Sequence, residues 1–163
     1  MLKVWLHPRE RKLLKLKSDG FSNEQMSEML KSSTSAIRRS FNLIKIVSIA
    51  YQWHYQNRRK IQWVRQKIME RFTRSNKKRA LKALIMSERR LSSRPIAKKL
   101  KCGRRTVNYD LRDCFDILHG LMVEYNDPIF AQYHTFLSVM TSGRYGTRPS
   151  GYILRKVRRV YHE

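Results

Sequence analysis

A chain of 163 residues with 36 Lys and Arg against 12 Asp and Glu carries a formal charge of +24, an imbalance that calls for a polyanionic partner. Its 41% hydrophobic and 10% aromatic content excludes a disordered basic tail and supports a packed core. The longest apolar stretches fall well short of the roughly 18 to 20 residues of a membrane span, and His7, Pro8 and Arg9 interrupt the place where a secretion signal needs its apolar run. Cys102 and Cys114 form neither a disulfide framework nor a CxxC metal pair. With only 6 Gly and 4 Pro and no Gly-rich phosphate-cradling motif, the 3.6-residue periodicities predict an all-α fold.

In chain order, residues 1–50 read as a first helix-turn-helix unit. Ser22 or Asn23 is a candidate N-cap, Met26, Met29 and Leu30 give an apolar stripe, and Lys31-Ser32-Ser33 is a short polar break. Ser33 then caps a helix that places Ile37, Phe41, Ile44, Val47 and Tyr51 on one face. Ser35, Arg38, Arg39 and Asn42 point the other way.

Residues 51–75 interleave aromatics with a basic run and predict a long basic connecting helix, with Ile61, Val64, Ile68 and Phe72 at helical spacing. Two readings of its rings stay open. Trp53, Tyr55 and Trp63 are of the type that stacks on unpaired bases, or they are core while Arg58, Arg59 and Lys60 touch phosphates.

Residues 76–140 read as a second helix-turn-helix unit with an apolar helical extension. Asn76 to Glu88 supplies its leading helix. Ser92 or Ser93 caps Arg94 to Leu100, Lys101-Cys102-Gly103 makes the turn, and Val107, Leu111, Cys114 and Leu118 form the buried stripe. Arg105, Asn108, Tyr109 and Arg112 face outward. Asp110, Asp113 and Asp116 repel phosphates, so only the N-terminal part of this helix is expected in a groove; they pair with nearby Arg112 or face a protein. From Arg112 to Arg144 no Lys or Arg intervenes. The apolar residues of 117–140 therefore either complete the second core or form a dimer or RNA-polymerase contact. Residues 141–163 are a Gly/Arg linker followed by a basic element, and Arg144 and Arg148 suit a minor-groove arm or a plain loop.

The two units are an internal repeat at an offset of 70. Ser22 matches Ser92, Leu30 matches Leu100 and Lys31 matches Lys101, while Phe21/Leu91, Met26/Ile96, Ile37/Val107 and Phe41/Leu111 keep apolar character. The outward positions 35, 38, 39 and 42 map onto 105, 108, 109 and 112. A helix-turn-helix needs this arrangement, a short helix packed on a second whose exposed N-terminal half fits a major groove about 12 Å wide.

Residues 6–44, with Pro8, Arg9, Glu10, Leu13, Leu16, Gly20, Ser22, Asn23, Leu30 and Ser33, resemble the LuxR-type helix-turn-helix and the related sigma-factor region four. Ala36-Ile37 stands where that family commonly has Thr-Val, and Ser27 where it prefers Ala. Residues 90–118 are similar to the helix-turn-helix of DeoR-, BglG- and Mga-like regulators, with Gly103 in place of the capping Ser. These resemblances imply a double-stranded DNA partner.

The expected DNA-contacting set is Ser33, Thr34, Ser35, Arg38, Arg39 and Asn42 in the first unit and Arg104, Arg105, Thr106, Asn108, Tyr109 and Arg112 in the second. Phosphate contacts are assigned to Lys31, Lys45, Arg58, Arg59, Lys60, Lys101, Arg144 and Arg148. Arg reads guanine and Asn reads adenine through paired hydrogen bonds, and phosphate neutralisation supplies salt-dependent affinity. Histidines and cysteines show no metal spacing, and no catalytic constellation, cofactor or metal is expected. The leading expectation is a cytoplasmic, nucleoid-associated transcription regulator of phage or mobile-element type. The alternatives are a sigma-like RNA-polymerase-associated specificity factor and an RNA-binding or packaging protein.

Overall fold

Pro8 fixes the first turn of an opening helix, and the Glu10 carboxylate accepts the His7 backbone N–H at 2.9 Å. This helix, α1 (Pro8–Ser18), is followed by α2 (Asn23–Leu30), α3 (Thr34–Gln56), α4 (Arg58–Arg71), α5 (Lys77–Ser87), α6 (Ser93–Leu100), α7 (Arg104–Glu124) and α8 (Pro128–Met140). The computed structural model describes residues 5–74 and 76–142, and among these there is no strand. The fold is all-α, as the periodicities require.

The chain divides into two compact units, residues 1–52 and 53–163. In the first, Leu13 of α1, Met26 of α2 and Ile37 of α3 are fully buried against one another, with Leu16, Leu30 and Phe41 packed around them. Trp5 meets Tyr51 edge-on at 5.0 Å. Met29, expected in the apolar stripe, is 51% exposed. At 100° per residue Leu30 lies 40° from Met26 and Met29 lies 60° away on the other side. The eight-residue α2 turns its single buried flank toward Leu30.

In the second unit α7 is the central element, packed on α4, α5, α6 and α8, and α4 also packs on α5 and α8. The stripe Ile61, Val64, Ile68 and Phe72 is buried, so α4 belongs to this core. Asn57 separates it from α3, its side-chain amide donating to the Trp53 carbonyl at 2.8 Å. α8 is buried along its length, from Ile129 to Met140, apart from the half-buried Ala131 and Gln132. The apolar run of 117–140 is thus spent mainly inside the fold, Val123 being its exposed large side chain at 91%.

At the middle of this unit is a buried ionic cluster with no local signature. Glu88, 1% exposed, receives the Arg65 Nε–H at 2.7 Å, the Tyr133 hydroxyl at 2.6 Å and His54 Nε2 at 2.8 Å, with a second Arg65 nitrogen on its other oxygen. Burial alone would raise the Glu88 carboxyl. The hydrogen bonds from His54, Arg65 and Tyr133 and the Arg65 charge outweigh it and hold the group below the usual carboxylate range. The cluster ties the end of α3, α4, the cap of α5 and α8 to one carboxylate.

Candidate nucleic-acid interface

The offset of 70 is realised element by element. α2 and α6 begin and end at equivalent residues, and α3 and α7 begin at Thr34 and Arg104. Both turns close in the same way: Lys31 and Lys101 adopt left-handed backbone at φ 50° and 54°, and the next amides reach back five residues, Ser32 N to Ser27 O at 3.0 Å and Cys102 N to Ala97 O at 3.1 Å. The preceding turns agree too, with Gly20 at φ 92° and Arg90 at φ 66°. Phe21 N bonds Leu16 O at 3.1 Å and Leu91 N bonds Met86 O at 3.4 Å. Each copy of the repeat, α1 to α3 and α5 to α7, is therefore a set of three helices with a three-residue turn between its last two.

Caps fix where the outer helices start. The Ser22 hydroxyl accepts Gln25 N–H at 3.2 Å while the Gln25 side chain accepts Ser22 N–H at 2.8 Å, and the Ser33 hydroxyl accepts Ala36 N–H at 3.1 Å. Ser92 occupies the equivalent N-cap without a side-chain bond, α6 beginning at Ser93 and not Arg94. Gly103 has no side chain to offer α7. The first turn has its own brace, Arg9 Nη2 donating to Ser32 Oγ at 2.8 Å.

The faces these elements present carry the assigned residues. Ser33, Ser35, Arg38, Arg39 and Asn42 are exposed and Thr34 is half-buried; Lys45 continues the stripe, and Lys31 stands exposed at the turn. On α7, Arg104, Arg105, Tyr109 and Arg112 are exposed, as is Lys101, while Thr106 and Asn108 are half-buried. Asn108, expected to point outward, lies one residue from buried Val107, at the edge of the packed side. Behind these faces Ile37, Ile44 and Val47 on α3, and Val107, Leu111, Cys114 and Leu118 on α7, are buried. Burial, with the Asp110 and Asp113 charges, pushes the Cys114 thiol up to about 12, which keeps it a neutral core side chain.

The carboxylates of α7 find other partners than Arg112. Asp110, fully buried, takes Arg79 through two hydrogen bonds of 2.8 and 3.3 Å, and Arg74 lies 3.8 Å away. Asp113 lies 3.6 Å from Arg74. Three residues separate Asp110 from Val107, which turns it toward α5 and away from the outer face. Asp116 is exposed.

The two tryptophans of 51–75 meet residues of α8 and its approach. Trp53, buried, packs on Phe136 at 5.5 Å, which leaves it no face for a base, while Trp63 packs on Phe130 at 5.2 Å and Tyr125 at 6.1 Å and keeps 36% of its surface exposed. Tyr55 is 58% exposed with Arg58 over its ring at 4.7 Å. Arg58, Arg59 and Lys60 are exposed on the first turn of α4. Arg144 and Arg148 lie outside the described residues.

Sequence reasoning missed Arg74, whose guanidinium sits 5.2 Å over the Tyr109 ring, and the exposed Arg94, Lys98 and Lys99 of α6. The repeat alignment signals the α6 set, because the first copy has no cation at those positions. No described helix is long and apolar enough to cross a membrane, and no family model, curated protein or solved structure matches this chain.

Proposed function

We propose that the protein is a non-enzymatic, sequence-specific binder of double-stranded DNA that regulates transcription at the nucleoid by presenting α3 and α7 to two stretches of major groove. The observation that supports this reading most is the coincidence in register of two exposed helix faces, Ser35, Arg38, Arg39 and Asn42 on α3 and Arg105, Tyr109 and Arg112 on α7. They begin at matched turns of the same left-handed geometry. Each helix starts beside a short partner helix, and each offers Arg and polar side chains suited to base edges. The net charge of +24 supplies the non-specific term that holds a duplex while the faces read it.

The test is selection from a random duplex library at about 150 mM salt, where non-specific electrostatic binding is already weakened. A recovered motif with two separated elements is the expected result. Failure to enrich any motif, with retained binding to RNA or to RNA polymerase, would replace this reading with one of those partners.

A further inference from the structure

The same backbone carries different charge at matched positions of the two units. At equivalent exposed positions α2 has Glu24, Glu28 and Met29 where α6 has Arg94, Lys98 and Lys99. At the start of the next helix Thr34 and Ser35 stand where the second unit has Arg104 and Arg105. Since both copies form the same turn and the same pair of helices, folding does not require the cations of α6. Among the described residues none of these five basic side chains is in an ion pair, and the two buried carboxylates of the second unit, Glu88 and Asp110, are held by Arg65 and Arg79. The positive field of the α6–α7 face is therefore not cancelled locally.

Resting on the DNA-binding reading above, we propose that the two units divide the work on DNA. The second is the phosphate anchor, with Arg94, Lys98 and Lys99 of α6 on the backbone beside the groove that α7 enters. The first contributes discrimination through Arg38, Arg39 and Asn42 and no phosphate contact from its short helix, because Glu24 and Glu28 on α2 would repel a phosphate where α6 attracts one; its phosphate contacts are left to Lys31 and Lys45. A duplex backbone fits this face better than a protein partner: the cations lie on the helix that in a helix-turn-helix crosses the backbone, and fixed, unpaired charge is what counterion release requires.

The experiment compares the full chain with R94A/K98A/K99A and with R38A/R39A, titrating the selected duplex, a scrambled duplex and an RNA hairpin between 50 and 200 mM salt. All five substitutions are at exposed positions, and circular dichroism reports whether the helices persist. Each phosphate contact contributes about 0.9 to the slope of log K against log salt. R94A/K98A/K99A is thus expected to flatten the slope by about 2.7 on both DNAs. Its affinity loss across this fourfold salt range is then smaller than that of the unsubstituted chain by about 40-fold, and its preference for the selected duplex is unchanged. R38A/R39A is expected to reduce that preference at nearly constant slope. An unchanged slope in the α6 variant, with the parent chain still selective for its duplex, would overturn the division of work and leave DNA reading intact. No selectivity in the parent chain would instead remove the functional reading itself, and tighter binding of the hairpin at every salt concentration would assign the α6 face to RNA.

Discussion

Glu88 holds the second unit together through charge in a place where charge is costly. Removing one partner of a buried, hydrogen-bonded pair leaves the other desolvated and unpaired, at a cost of about 3 to 5 kcal/mol. Glu88→Gln is expected to destabilise by that amount at pH 7, read from the urea midpoint. The carboxyl is held below its ordinary value in the folded state and titrates at about 4.3 when unfolded. Its stabilisation is therefore complete above that pH and disappears as pH falls through the lower, folded value. The parent chain should lose stability on acidification below about pH 5 more steeply than Glu88→Gln, and parallel profiles would show that another group governs the acid limb. On the outer face, Arg38→Ala and Arg39→Ala should each reduce discrimination between selected and scrambled duplex by about 1 to 3 kcal/mol if they grip bases. Equal losses on both DNAs would make them phosphate contacts.

At the scale of single helices, the repeat contains its own controls. Ser22 closes a reciprocal cap with Gln25 whereas Ser92 makes no side-chain cap bond. Ser22→Ala should cost about 1 kcal/mol and Ser92→Ala distinctly less, a difference visible in urea unfolding followed by circular dichroism. Such features were readable from sequence because they are local: caps, the three-residue turns and the stripes of α3, α4 and α7 depend on neighbours within one or two helical turns. What escaped were partners distant in the chain. Glu88 meets Arg65, 23 residues before it, and Tyr133, 45 residues after it, and Asp110 meets Arg79 at a separation of 31. No periodicity marks these pairs. Trp53 and Trp63 likewise gave no sign of their place until α8 supplied Phe136, Phe130 and, at its approach, Tyr125. Met29 failed for a finer reason, since a spacing of three and a spacing of four both count as helical while an eight-residue helix buries only one flank.

Across the whole molecule, two copies of one scaffold display different faces, so the surface each presents is separable from how the chain folds. Transferring the first face to the second unit through Arg105→Ser, Asn108→Arg, Tyr109→Arg and Arg112→Asn is expected to yield, on selection from random duplex, a motif containing the same element twice. Recovery of the original pair of elements would show that these positions do not determine the sequence read. The scaffolds differ in one respect that matters during synthesis. Every buried side chain described in the first unit, from Trp5 to Ala50, has been made by the time the ribosome passes Tyr51. The second body is different, because α8 is buried almost throughout and carries Tyr133, the last member of the Glu88 cluster. Its core stays open at one side, with Trp53, Trp63 and Phe115 lacking their ring partners Phe136, Phe130 and His134, until residues 128–140 have left the exit tunnel. During translation the nascent chain thus holds one finished unit and one unfinished one.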